Sequence, residues 1–84
     1  MTVAQRFGAN LVHCREQAGL SQEALAERAS LHRTAIGLLE KGARIPRIDT
    51  VIKLSVALDV EPDRLLYGID WRPGTTSPGR FDLS

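Results

Sequence analysis

Apolar residues return every third or fourth position through most of this chain, in short blocks that glycine or proline separates. That period is the helical one. In the first block Phe7, Leu11, Cys14 and Ala18 share a face, and Thr2 with Gln5 three residues on resembles a capping box at its start. A helix of roughly sixteen residues is predicted there, ended by Gly19. Ser21 suits the N-cap of a second helix, with Glu23 in its electropositive first turn. Leu25 and Ala29 lie four apart on that helix, Gln22 to Ala29, and Ile36 and Leu39 three apart on the next, Arg33 to Lys41. With Leu31 in the turn between, these residues close one small core. Ala26 is small enough for the two helices to cross closely, and Gly42 supplies a left-handed stop.

Pro46 marks the turn into a fourth helix, Ile48 to Leu58, that carries Val51, Leu54 and Leu58 inward and closes on Asp59, a residue type that tolerates the left-handed region. Pro62, at a first helical position, opens a short fifth helix, Pro62 to Tyr67, which Gly68 closes. Beyond Ile69 the composition changes, and Pro73 to Gly79 form a turn-rich run that cannot continue a helix. Trp71 and Phe81 flank that run with Arg72 and Arg80 beside them, a pattern that suits a loose hairpin. The reading divides the chain into a helical domain, residues 1–68, and a non-helical tail, residues 69–84, that serves as a dimerisation or lid segment.

The segment from Gly19 to Gly42 is a helix-turn-helix by its spacing. Taken with Phe7, Leu11 and Arg15 before it, and Asp49-Thr50, Lys53-Leu54, Ala57-Leu58, Pro62 and Leu65-Leu66 after it, the chain from residue 6 to 66 resembles the phage-repressor (Cro-like, xenobiotic-response-element) family of DNA-binding domains. The resemblance implies an all-α fold, a compact five-helix lambda-repressor-like domain whose third helix enters the DNA major groove. It places His32 to Ala35 and Leu38 at or near base edges and Gln22 at a phosphate. It also implies a bridge between Arg15 on the first helix and Glu40 at the end of the third. The chain departs from the family pattern at Gly37 and Leu38, which replace a polar pair, and at Ser30, which replaces the turn glycine and is therefore expected in the left-handed region. Ile45 and Arg47 stand where polar or capping residues are usual, so the fourth helix is expected to be poorly capped.

Charge then locates the chemistry. The net charge is only +1, but between Arg28 and Arg47 five cations (Arg28, Arg33, Lys41, Arg44 and Arg47) stand against Glu40 alone. On the third helix, steps of about 100° per residue from the inward Leu39 turn Arg33, Thr34, Gly37 and Lys41 outward, with Leu38 on the flank. Base-contact candidates are Arg33, Thr34, Ala35, Gly37 and Leu38; phosphate candidates are Gln22, His32, Lys41, Arg44 and Arg47. A guanidinium at Arg33 can donate two hydrogen bonds to guanine O6 and N7, or else meet only a phosphate. Leu38 either touches a thymine methyl or packs on the neighbouring helix. Gly37 either admits the backbone to the groove or is a tolerated flaw.

Eighty-four residues suffice for one domain. The single cysteine, Cys14, forms no internal disulfide and lies on the inner face of the first helix; with no signal peptide or long apolar run, the expected setting is the cytoplasm. His13 has no second ligand at metal spacing, and no nucleophile with a base, phosphate loop or paired carboxylates is present. No cofactor, metal, membrane or enzymatic activity is expected. The function read from the sequence is a transcriptional regulator that binds a palindromic operator in double-stranded DNA as a homodimer, with Ile52, Val56, Ile69 and Trp71 as seam candidates. The competing reading is an antitoxin or adaptor that uses the same fold to grip a partner protein.

Overall fold

A computed structural model describes residues 1–84 as five helices followed by a two-stranded hairpin: α1 (Val3–Gln17), α2 (Gln22–Ala29), α3 (Arg33–Glu40), α4 (Ile48–Leu58), α5 (Pro62–Leu65), β1 (Ile69–Arg72) and β2 (Arg80–Leu83). The capping box at α1 is complete: the Gln5 amide donates to Thr2 Oγ1 at 3.1 Å and the Thr2 amide to Gln5 Oε1 at 2.8 Å. At α2 the Ala24 amide donates to Ser21 Oγ at 3.0 Å. His32 and Arg47 occupy the N-cap positions of α3 and α4 without a side-chain bond to the helix, as the cap chemistry of those residues dictates. Ser30 and Asp59 close α2 and α4 in the left-handed region at φ 56° and 55°.

The apolar faces meet in one core of Phe7, Leu11, Cys14, Leu25, Ala26, Ala29, Ile36, Leu39, Leu54, Ala57, Leu58 and Leu65. Two devices, one polar and one steric, hold the helices around it. Asn10 is buried, and its Nδ2 donates to the carbonyls of Leu65 at 2.9 Å and Tyr67 at 2.8 Å, satisfying the end of α5 from α1. Gly8 lets α1 approach the last turn of α3 at backbone level: a Cβ there would stand 2.5 Å from the Leu39 carbonyl oxygen and 2.6 Å from that of Glu40.

The tail corrects the all-α expectation. β1 and β2 pair antiparallel, with Ile69 opposite Leu83, Asp70 opposite Asp82, Trp71 opposite Phe81 and Arg72 opposite Arg80. The turn-rich run between the strands makes this possible, since it brings two short alternating segments into register. α5 is also shorter than its pattern suggests: it stops at Leu65, and the carbonyls of Leu65 and Tyr67, left without a continuing helix, accept from Asn10 Nδ2.

Candidate nucleic-acid interface

The inner side of α3 is fixed before its outer side is reached. Ile36 and Leu39 are buried in the core, and Glu40, at the last position of the helix, receives Arg15 from α1: Arg15 Nε to Glu40 Oε2 is 2.6 Å and Nη2 to Oε1 is 3.2 Å. The third donor of the guanidinium, Nη1, reaches the Leu20 carbonyl at 2.9 Å. Only 15% of the Arg15 side chain and 7% of the Glu40 side chain remain exposed, so this pair is sheltered from the screening that weakens surface pairs. The hydrogen bond to Glu40, opposed by burial, holds the Arg15 guanidinium above its ordinary pKa.

Gln22, the first residue of α2, joins the same cluster: its Nε2 donates to Glu40 Oε1 at 2.8 Å. The family resemblance implies a phosphate contact for this side chain. In the structure one of its two N–H groups is engaged with Glu40, so at most the other is free to donate elsewhere. Glu40 itself is surrounded by donors, and the negative charge between Arg28 and Arg47 is thereby neutralised within the scaffold. The cations of that stretch face solvent without an acidic counterweight from Glu40.

On the outer side, Arg33, Thr34, Gly37, Leu38 and Lys41 come together with Gln22 around one shallow depression of about 210 Å³. Arg33, Thr34 and Lys41 are exposed, while Gly37 and Leu38 are half-buried. Arg33 Nε lies 3.7 Å from Glu23 Oε1, but the two side chains are 65% and 79% exposed, and a pair so solvated yields readily to a stronger acceptor. Ala35 is half-buried and lies outside the depression, as do His32, Arg44 and Arg47, which are exposed at the start of α3 and in the loop that leads to α4. Arg47 Nε is 3.2 Å from Asp49 Oδ1. A Cβ on Gly37 would meet nothing within 4 Å. That glycine is therefore not required by packing.

The seam candidates fall into two groups. Ile52 and Val56 are exposed on α4 at 53% and 76%, in line with Ile48 at 81%. Ile69 is half-buried and packs against the core from the base of the hairpin, whereas Trp71 stands 55% exposed further out. Within the hairpin the Trp71 ring packs on Phe81 and over Gly79. Two further exposed residues, Ile45 in the loop and Ile48 on α4, line the groove between α1, α4 and α5, and the four-residue spacing of Ile48 with Ile52 and Val56 is a signal in the sequence for an apolar stripe.

Comparison with known proteins bears on the same elements. A family model described as "Helix-turn-helix" matches residues 13–65. The control protein C.SmaI of Serratia marcescens is 38% identical over 66 residues, covering 79% of this chain and 79% of that protein. The control protein C.BamHI of Bacillus amyloliquefaciens is 44% identical over 50 residues, covering 60% of this chain and 62% of that protein. Against some curated relatives the matched stretch spans little more than half of their length, down to 53%. Among solved structures, the restriction-modification controller protein C.AhdI from Aeromonas hydrophila superposes with a TM-score of 0.72 at 40% identity, covering 74% of this chain and 94% of that one.

Proposed function

The chain belongs to the helix-turn-helix family of DNA-binding transcriptional regulators, and from that premise we propose that residues 1–68 read a palindromic operator in double-stranded DNA as a homodimer, with α3 in the major groove. The observation that carries this reading is the pairing of a pinned inner side of α3 with an outer side whose polar and cationic groups converge on one depression. A helix presented in this way can lie along base edges while Arg44 and Arg47, on the loop that follows, meet phosphates. A single α3 offers few base contacts; two half-sites about 34–36 Å apart combine them into a usable specificity. The likeness to C.AhdI, a restriction-modification controller protein, favours a restriction-modification operon as the regulated unit.

Selection of bound sequences from random duplex DNA supplies the operator, and two substitutions then separate the roles. Arg33→Ala is expected to lose about 1–3 kcal/mol and to relax preference at one base position per half-site, whereas Arg47→Ala weakens binding to all sequences and lowers the salt slope by about one. Equal losses on every sequence from both variants refute the assignment. Retention of no sequence preference by the intact chain favours a protein-gripping adaptor instead.

A further inference from the structure

In an antiparallel hairpin alternate residues share a face, so Ile69, Trp71, Phe81 and Leu83 form one side of β1–β2. Ile69 and Leu83, at the base, are half-buried, and Ile69 packs against the helical core. Trp71 and Phe81 continue the same face past the end of that body, where residues 70–78 are all exposed and the molecule reaches 47 Å in length against 22 and 20 Å across. The two rings are 5.0 Å apart, edge to face at 66°, and the indole also lies over Gly79, where a Cβ would overlap it. An aromatic knob already packed on two neighbours loses little freedom on docking. The opposite face carries Asp70, Arg72, Arg80 and Asp82, with Arg72 Nε 2.7 Å from Asp82 Oδ2, and has no net charge.

Beside this knob runs a groove of about 350 Å³ lined mostly by aliphatic side chains, among them Val3, Ile45, Ile48, Ile52, Leu66 and Ile69. Ile69 belongs both to the groove and to the apolar face of the hairpin, so knob and groove are one continuous patch. A patch that carries its own complement is what a two-fold contact requires, since each copy can then give its knob and receive the other's. We propose that the homodimer forms by reciprocal exchange of these hairpins, Trp71 and Phe81 of each chain entering the α1–α4–α5 groove of a second copy. The proposal rests on the homodimer reading above and names the surface that makes it. Four half-exposed rings and the walls they cover, with the remaining α4 stripe of Ile52 and Val56, bring the buried area to roughly 1,000 Å² or more, the range of a specific interface. The neutral charged faces of the hairpins point away from the seam and oppose nothing.

Trp71 is the only tryptophan, so its emission reports its own surroundings. In a dilution series of the full chain, the emission is expected to move to shorter wavelength with rising concentration, in step with the dimer fraction from sedimentation equilibrium. Ile48→Asp and Phe81→Ala are each expected to weaken dimerisation by roughly ten- to a hundredfold, and Ile48→Asp also removes the emission shift. Asp is favourable in the first turn of α4 and Ile48 is 81% exposed, so the first variant leaves the fold intact, which circular dichroism verifies. A dimer of unchanged strength whose Trp71 emission ignores concentration overturns the hairpin exchange and leaves the homodimer reading standing. An emission shift that survives Ile48→Asp overturns the groove as the receiving surface. A chain that stays monomeric at all concentrations and binds half-sites independently overturns the homodimer reading, and this proposal with it.

Discussion

The two sides of α3 are built by opposite means. The side toward α1 is held at every level: apolar burial of Ile36 and Leu39, the Arg15–Glu40 pair with Gln22 and the Leu20 carbonyl, and a backbone approach that only Gly8 permits. The side toward solvent carries one solvated ion pair, at Arg33, and a glycine with empty space above it. The difference separates two tasks. A helix that must be presented in a fixed pose is secured by groups that face away from the ligand, so that those facing the ligand stay free to choose their partners.

The largest expected effect breaks the held side. Glu40→Ala removes the acceptor of both Arg15 and Gln22 and leaves a sheltered guanidinium unpaired, which costs about 3 kcal/mol, the low end for a buried pair because Arg15 keeps some access to water. In a domain of this size that corresponds to a fall in Tm of roughly 12–24 °C. Arg15→Ala added to Glu40→Ala is expected to cost less than the two singles together, which a double-mutant cycle by thermal or urea unfolding measures; strict additivity means that the two groups are not coupled.

An intermediate effect tests the close approach. Gly8→Ala gains the helix propensity of alanine, about 1 kcal/mol, but puts a Cβ against the Leu39 and Glu40 carbonyls, and backbone cannot yield as the end of a side chain can. A net loss of about 1–3 kcal/mol is expected from the overpacking, with α1 and α3 pushed apart. Operator affinity should fall further than stability alone explains, because the Arg15–Glu40 geometry moves with α3. A variant as stable as the parent would show that the approach carries no constraint.

How much of this contrast can be read without coordinates follows from what kind of interaction makes it. The five helices, the caps at Thr2 and Ser21 and the left-handed positions of Ser30 and Asp59 are local, encoded within four or five residues, and the sequence shows them. The outward turn of Arg33, Thr34 and Lys41 follows from helical period alone. Gly8, Asn10 and the bond from Gln22 to Glu40 join segments up to 57 residues apart, and no local pattern names the partner. Even there a trace exists, since Gly8 adjoins Phe7 on the inner face of α1, where a larger side chain is the usual filling. The hairpin was legible as a turn with aromatics on either side, but its register, and the placement of Trp71 against Gly79, arise from strand pairing that the short segments do not determine by themselves.

The smallest effect sharpens the comparison most, because it makes on the outer side of α3 the same glycine-to-alanine exchange that Gly8 of α1 makes against its inner side. Gly37→Ala adds a methyl group where nothing lies within 4 Å, so only the helix propensity changes, and stability is expected to rise by about 0.5–1 kcal/mol. The same exchange thus has opposite signs at Gly8 and Gly37, a result that packing dictates and composition does not. If the gap at Gly37 exists to let α3 settle against the duplex, the stabilised variant binds operator more weakly, by roughly tenfold for a displaced base contact. Thermal unfolding and operator titration on the one variant therefore answer two questions. A gain in stability with affinity unchanged identifies Gly37 as a position that DNA does not touch, and moves the readout to Arg33, Thr34 and Leu38.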